Sequence, residues 1–160
     1  MAKIINQRLT VKIEGDFVVF LIGMRINRFW KFHKWIPLGS AMPKMLKELT
    51  GKPESGFLGF QIHGGLSPVI VQYWRSFEHL EAYAKDRIGI HYPVWKEFNR
   101  LIGSSGDVGI WHETYKVCAG DYKCIYHNMP VYGLGKVGEL IPATGKRETA
   151  GERIAATKPE

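Results

Sequence analysis

Cysteine is scarce in this chain, with Cys118 and Cys124 the only two; they do not form a C-x-x-C pair and have no second pair to join. That excludes a disulfide-dense secreted scaffold, a zinc knuckle and a thioredoxin-like redox motif, and it suits a reducing cytoplasm. Long apolar runs are also missing. The strongest, Phe17 to Met24, has eight residues and follows Glu14 and Asp16, too short and wrongly flanked for a membrane span or a signal peptide. No glycine-rich phosphate loop, dinucleotide fingerprint, HExxH metal motif or G-x-S-x-G nucleophile elbow occurs, so those chemistries lack their usual signatures. After Gly138 there is no aromatic residue and no apolar periodicity, so residues 139–160 read as a flexible tail behind a single domain, 1–138. No internal repeat divides that domain.

What is present is enough for one core. The 160 residues are 45% hydrophobic and 12% aromatic, and a chain of this size buries roughly two thirds of its unfolded surface without staples. Its 22 bases against 15 acids give +7, and the excess is local: Arg25 to Lys52 holds seven Lys/Arg against Glu48 alone. There the run RFWKFHKW, Arg28 to Trp35, interleaves cations with rings, a pattern that can meet phosphates, stack bases or lie at a membrane surface. The plainer reading is that Phe29, Trp30 and Trp35 pack at a strand end and helix start, under lysine stems.

Periodicity supplies the elements. Phe17 to Ile26 is apolar at nearly every position, as in a strand covered on both faces. Met42, Met45, Leu46 and Leu49 recur at helical spacing before Gly51 and Pro53, so a helix is predicted over about 36–50. Phe57 to His63 and Val69 to Arg75 read as an antiparallel hairpin, Ser76 as the cap of a helix carrying Phe77, Leu80 and Ala84, and His91 to Ile102 as a second helical piece. Val108 to Val117 and Tyr122 to Met129 are the last strands, expected to join at a Gly120-Asp121 turn. The order β, α, β, β, α, α, β, β is a split β-α-β-β-α-β unit with one extra strand: an α+β, ferredoxin-like antiparallel sheet with helices on one face. The other face needs a cover, either a second copy of the chain in a homodimer or the chain's own C-terminal segment.

The succession VIVQYWRSFEHLEAYA, HYPVWKEFN, GIWHETY and IYHNMPVYGLG resembles the small family typed on a fumagillin-pathway monooxygenase, within the dimeric α+β barrel superfamily of antibiotic-biosynthesis monooxygenases. The resemblance covers about residues 15–136. It implies a ferredoxin-like protomer, dimerisation through sheets and a pocket between sheet and helices. Relatives in that superfamily include cofactor-free monooxygenases and haem enzymes, so the cofactor is left as none or haem.

Helical and strand geometry then select site candidates. On a wheel, His91, Val94, Trp95, Phe98, Leu101 and Ile102 share one arc of about 120°. A histidine on that stripe needs a partner for its ring: a core neighbour, a substrate, or, as an axial ligand, a haem iron. Along GIWHETY, Trp111, Glu113 and Tyr115 share one strand face and His112 the other. Glu113 is the candidate acid or base with His91, and His112 is expected to be structural or at the dimer face. Gln72 and Trp74 likewise share one face, opposite Val71, Tyr73 and Arg75. Tyr73, Trp74, Trp95, Phe98, Trp111, Tyr115 and Tyr126 are the expected walls of an apolar pocket. The expected function is that of a monooxygenase-like oxidoreductase acting on a small apolar organic substrate, with nucleic acid not the expected partner. The alternatives are a haem-binding barrel enzyme of dehydratase or peroxidase type, and a non-enzymatic dimeric binding module using the basic-aromatic surface.

Overall fold

The computed structural model describes residues 2–89 and 91–157, excepting the side chains of His91, Ala156 and Thr157. Its elements are β1 (Ile5–Lys12), β2 (Phe17–Ile26), α1 (Phe32–Thr50), β3 (Phe57–His63), β4 (Val69–Trp74), α2 (Phe77–Lys85), α3 (His91–Leu101), β5 (Val108–Val117), β6 (Tyr126–Met129), β7 (Glu139–Pro142) and α4 (Ala150–Thr157). A four-stranded sheet has the order β3-β4-β2-β5, antiparallel throughout, with α1 linking β2 to β3 and the α2–α3 pair linking β4 to β5. This is the ferredoxin-like α+β arrangement that the element order implies. None of the helices among the described residues is long and apolar enough to cross a membrane.

β2 lacks alternation because both its faces carry apolar contacts. Val18 enters a core with Leu49, Trp74 and Leu80, against which Phe20 packs, while Met24 meets Leu38, Ile102 and Val108; this is the helix side. Phe17 and Val19 turn the other way, onto Ile13, Tyr73, Tyr122, Leu134 and Val137. The chain's own segment from Tyr122 to Val137 therefore covers part of the second face. α2 starts as expected, with the Ser76 hydroxyl accepting from the His79 N–H at 3.5 Å and meeting its ring Nδ1 at 2.9 Å.

Three expectations are corrected. First, β6 makes no hairpin with β5; it pairs with β1 in a second sheet of order β6-β1-β7. The Gly120-Asp121 turn is there, with the Asp121 N–H donating to the Cys118 carbonyl at 2.9 Å, but Tyr122 diverts the chain. Its ring stands edge-on to Phe17 at 5.4 Å, and its hydroxyl accepts from the Ile13 N–H at 2.7 Å, so burial of one aromatic carries the strand across the sheet end. Second, residues 139–157 are packed. β7 pairs with β1 from Leu9↔Pro142 to Lys12↔Glu139, Ala143 is buried, and buried Arg153 of α4 donates to the carbonyls of Arg147 and Glu148. Backbone ladders and carbonyl caps need no apolar periodicity, so composition did not reveal them. Third, α1 begins at Phe32, four residues before the expected start, with Pro37 accommodated near its N-terminus and Pro43 farther along.

Candidate functional site

Between the helix side of the sheet and the first two helices lies a narrow cavity of about 60 Å³. Phe20 and Ile22 of β2 and Gln72 of β4 form its floor; Met42, Met45 and Leu46 of α1 and Leu80 and Tyr83 of α2 form its roof. The residues arrive there by register: Phe20 faces Gln72 and Ile22 faces Ile70 across the β2–β4 ladder. The lining is aliphatic, thioether and the Phe20 ring except for two polar groups. Gln72 is buried and its Oε1 accepts from the Trp74 indole N–H at 3.0 Å, which fixes the amide and leaves its Nε2 hydrogens to offer a guest. Tyr83 has its hydroxyl pushed up to about 12, chiefly by burial and further by the carboxylates of Glu48 and Asp86, so it is a neutral phenol at physiological pH.

His112 stands at the β5 edge of this floor. It lies opposite Ile22 in the β2–β5 ladder, with its ring centroid 5.9 Å from that of Phe20, and it is exposed. The β2–β5 register turns His112 toward the helix side, on the same face as Phe20 and Ile22. The same register sends Trp111, Glu113 and Tyr115 to the opposite side of the sheet. There the Tyr115 hydroxyl donates to Glu113 Oε2 at 2.6 Å, and that bond holds the phenol above its ordinary value. The Trp111 indole lies over Gly23, where a Cβ would come within 2.4 Å of the ring. Tyr73 and Tyr126 lie on that side too, at the junction of the two sheets, with both hydroxyls near Gly133. Burial raises both phenols, that of Tyr126 to about 12.

The expected site set is thus divided. Trp74 and Phe98 sit in helix-side cores, while Tyr73, Trp111, Glu113, Tyr115 and Tyr126 are across the sheet. Trp95 is exposed, its ring 6.4 Å from that of Tyr92, and both line an open groove with Ala84, Lys85 and Arg87. His91 opens α3, but its side chain lies outside the described residues. Tyr83 and the methionines carry no signal beyond helix periodicity. Gln72 does, as the one polar residue within the strand VIVQYW. A haem does not fit the cavity: its volume is far below the roughly 300–1,000 Å³ of drug-sized sites, and its lining contains no histidine, cysteine or carboxylate. Among the described residues no group of three metal-ligating side chains converges elsewhere.

A family model described as monooxygenase af470-like matches residues 17–134, from the first residue of β2 to the turn after β6. The chain belongs to this family. The af470-like match takes in the whole four-stranded sheet, its helices and the cavity, and leaves β1, β7 and α4 outside. Monooxygenase af470 of Aspergillus fumigatus is 26% identical over an alignment 191 positions long that covers 99% of this chain; the chain spans 65% of that relative's length. Solved structures similar to this chain include the following two. One is a conserved protein of unknown function from Bacteroides thetaiotaomicron, with 13% identity and a TM-score of 0.46 over 63% of this chain and 97% of that one. The other is SnoaB, a cofactor-independent oxygenase from Streptomyces nogalater, with 12% identity and a TM-score of 0.45 over 62% of this chain and 90% of that one.

Proposed function

We propose that this protein is a monooxygenase-like oxidoreductase that takes a small apolar organic substrate between sheet and helices, as a homodimer. The observation that carries the reading is the apolar cavity with a fixed Gln72 amide and a neutral Tyr83 phenol, within the part of the chain that matches the family. Apolar walls with a few placed polar groups are the usual make-up of a small-molecule site. At about 60 Å³ the cavity must widen to admit an organic molecule, and its roof suits that. Met42 and Met45 are unbranched and repack easily, and Pro43 beside them removes one backbone hydrogen bond from α1.

Monooxygenation inserts one atom of O₂ into the substrate and releases the other as water; a phenol supplies the two electrons this needs by leaving as the quinone, so no further reductant enters. Gln72 and Tyr83 would orient a substrate oxygen by donating to it. His112, one ring away, would move the proton, with His91 the second candidate for that task. Incubation under isotopically labelled O₂ with a panel of apolar phenols tests the reading by mass spectrometry. One labelled oxygen should enter a product, and Gln72→Leu should lower its yield about 10–100-fold while the protein stays folded. Comparing His112→Gln with His91→Gln assigns the proton carrier. No labelled product from any member of the panel, or full yield in all three variants, would overturn the proposal.

A further inference from the structure

The basic-aromatic segment is not absorbed by this site, and the structure places it at one end of the sheet. Phe29 (60% exposed), Trp30 (69%), Phe32 (60%) and Ile36 (50%) open α1 and the loop before it, and Leu66 (63%) stands at the tip of the β3–β4 hairpin. The hairpin tip is held beside the end of β2, from which that loop leaves: the Ile26 N–H donates to the Leu66 carbonyl at 3.3 Å, and the Arg25 guanidinium donates to the Ser67 hydroxyl at 3.1 Å. The Trp35 indole N–H donates to the Phe29 carbonyl at 2.9 Å, and the rings of Phe29 and Trp35 stack at 5.7 Å, so the loop is held in its exposed form. Packing at the strand end, the plainer expectation for Phe29, Trp30 and Trp35, fails for Trp30, which stays exposed, while Phe29 and Trp35 pack on each other.

Charge surrounds these apolar tips. Asp107, with its side chain 1% exposed, draws Arg28 (2.9 Å), Lys31 (3.8 Å) and Lys34 to itself. Three cations on one buried carboxylate leave a surplus of two, and Arg25 adds a third. We propose that this end of the molecule docks on an anionic phospholipid bilayer, with Trp30, Phe32, Ile36 and Leu66 in the interface and the cations at the headgroups. Amphipathic segments with Trp, Phe and Leu beside Lys and Arg bind bilayers in this way. A single-stranded nucleic acid would stack on rings but gains nothing from Ile36 and Leu66. A second copy meeting the same patch would set like charges against each other. The inference does not depend on the reaction proposed above.

The experiment is sedimentation of the full chain with vesicles of phosphatidylcholine alone and of equal parts phosphatidylcholine and phosphatidylserine, at low and moderate salt. Binding should need phosphatidylserine and weaken with salt. The pair Trp30→Ser and Phe32→Ser should reduce it at least about tenfold, and Arg25→Gln about fivefold. Both aromatic side chains point to solvent, so an unchanged melting temperature is expected and separates lost docking from lost folding. The proposal is overturned by an absence of vesicle binding, by equal binding to both lipid mixtures, by binding that survives the double substitution, or by a change of oligomeric mass in that variant. Tighter binding to a thymidine homopolymer than to vesicles also overturns it.

Discussion

Asp107 shows how one carboxylate can organise a basic segment. Held by Lys34 first, then by Ser105 and the nearby Lys31, its carboxyl is lowered from 3.8 to about 2. Because the folded value lies below the unfolded one, Asp107 contributes stability that is fully present above the unfolded value and is lost as pH falls through about 2. The melting temperature of the parent should thus decline between about pH 4 and pH 2 more steeply than that of Asp107→Asn. At pH 7 the variant should already melt lower, because three cations converge on a site that no longer carries their counter-ion. Melting both proteins across this range by circular dichroism isolates Asp107 from the carboxylates of Glu78, Asp86, Glu97 and Glu152, which are also lowered and are common to both proteins. Parallel curves would show that the cations do not depend on Asp107.

The elements differ in how far their sequences disclose them. β2 and the Ser76-capped α2 are readable because each carries its own signal, apolar residues at every position in one and a cap in the other. β1 has no such signal: in INQRLTVK the buried residues Leu9, Thr10 and Val11 are consecutive, so neither strand periodicity nor composition marks it. Alternation along β5 separates His112 from Glu113, but which of them faces the helices is decided by pairing with β2, a non-local fact. Spacing alone puts Gln72 on one face with Trp74, whereas its place on the cavity floor depends on the helices above it. The docking of β7 has a testable hinge at Gly138, where a Cβ would lie 2.4 Å from Val11 Cγ1 and 2.7 Å from the Lys12 carbonyl oxygen. The Lys12 backbone belongs to the β1–β7 ladder and cannot yield without breaking it. Gly138→Ala should cost about 1–3 kcal/mol, a fall in melting temperature of roughly 2–10 °C, and deletion of residues 139–160 should cost at least as much. An unchanged melting temperature for both would mean that β7 and α4 add nothing to the fold.

For the whole molecule the open question of the sheet's second face has a partial answer inside the chain. Residues from Tyr122 to Val137 cover the end around Phe17 and Tyr73, and beyond them Leu21, Val71 and Trp111 are half-buried, with Glu113 and Tyr115 exposed beside them. A half-covered apolar sheet face is what a second copy would complete, and the proposed homodimer predicts a sedimentation mass about twice the 18.2 kDa of the chain. Leu21 is the place to probe it, because it lies directly opposite Glu113 on one neighbour and Val71 on the other. Leu21→Glu would set two like charges across the ladder and bring both to a face that must lose its water when copies meet, whereas Leu21→Gln adds polarity without charge. The expected result is a dimer for the parent, about tenfold or greater weakening of association for Leu21→Glu, and a smaller effect for Leu21→Gln. In an isologous contact each substitution enters twice, so the loss should be steep and should ease at low pH as the carboxylates protonate. A parent that sediments at the chain mass, with Leu21→Glu no different from it, would mean that the segment after Tyr122 is all the cover this sheet requires.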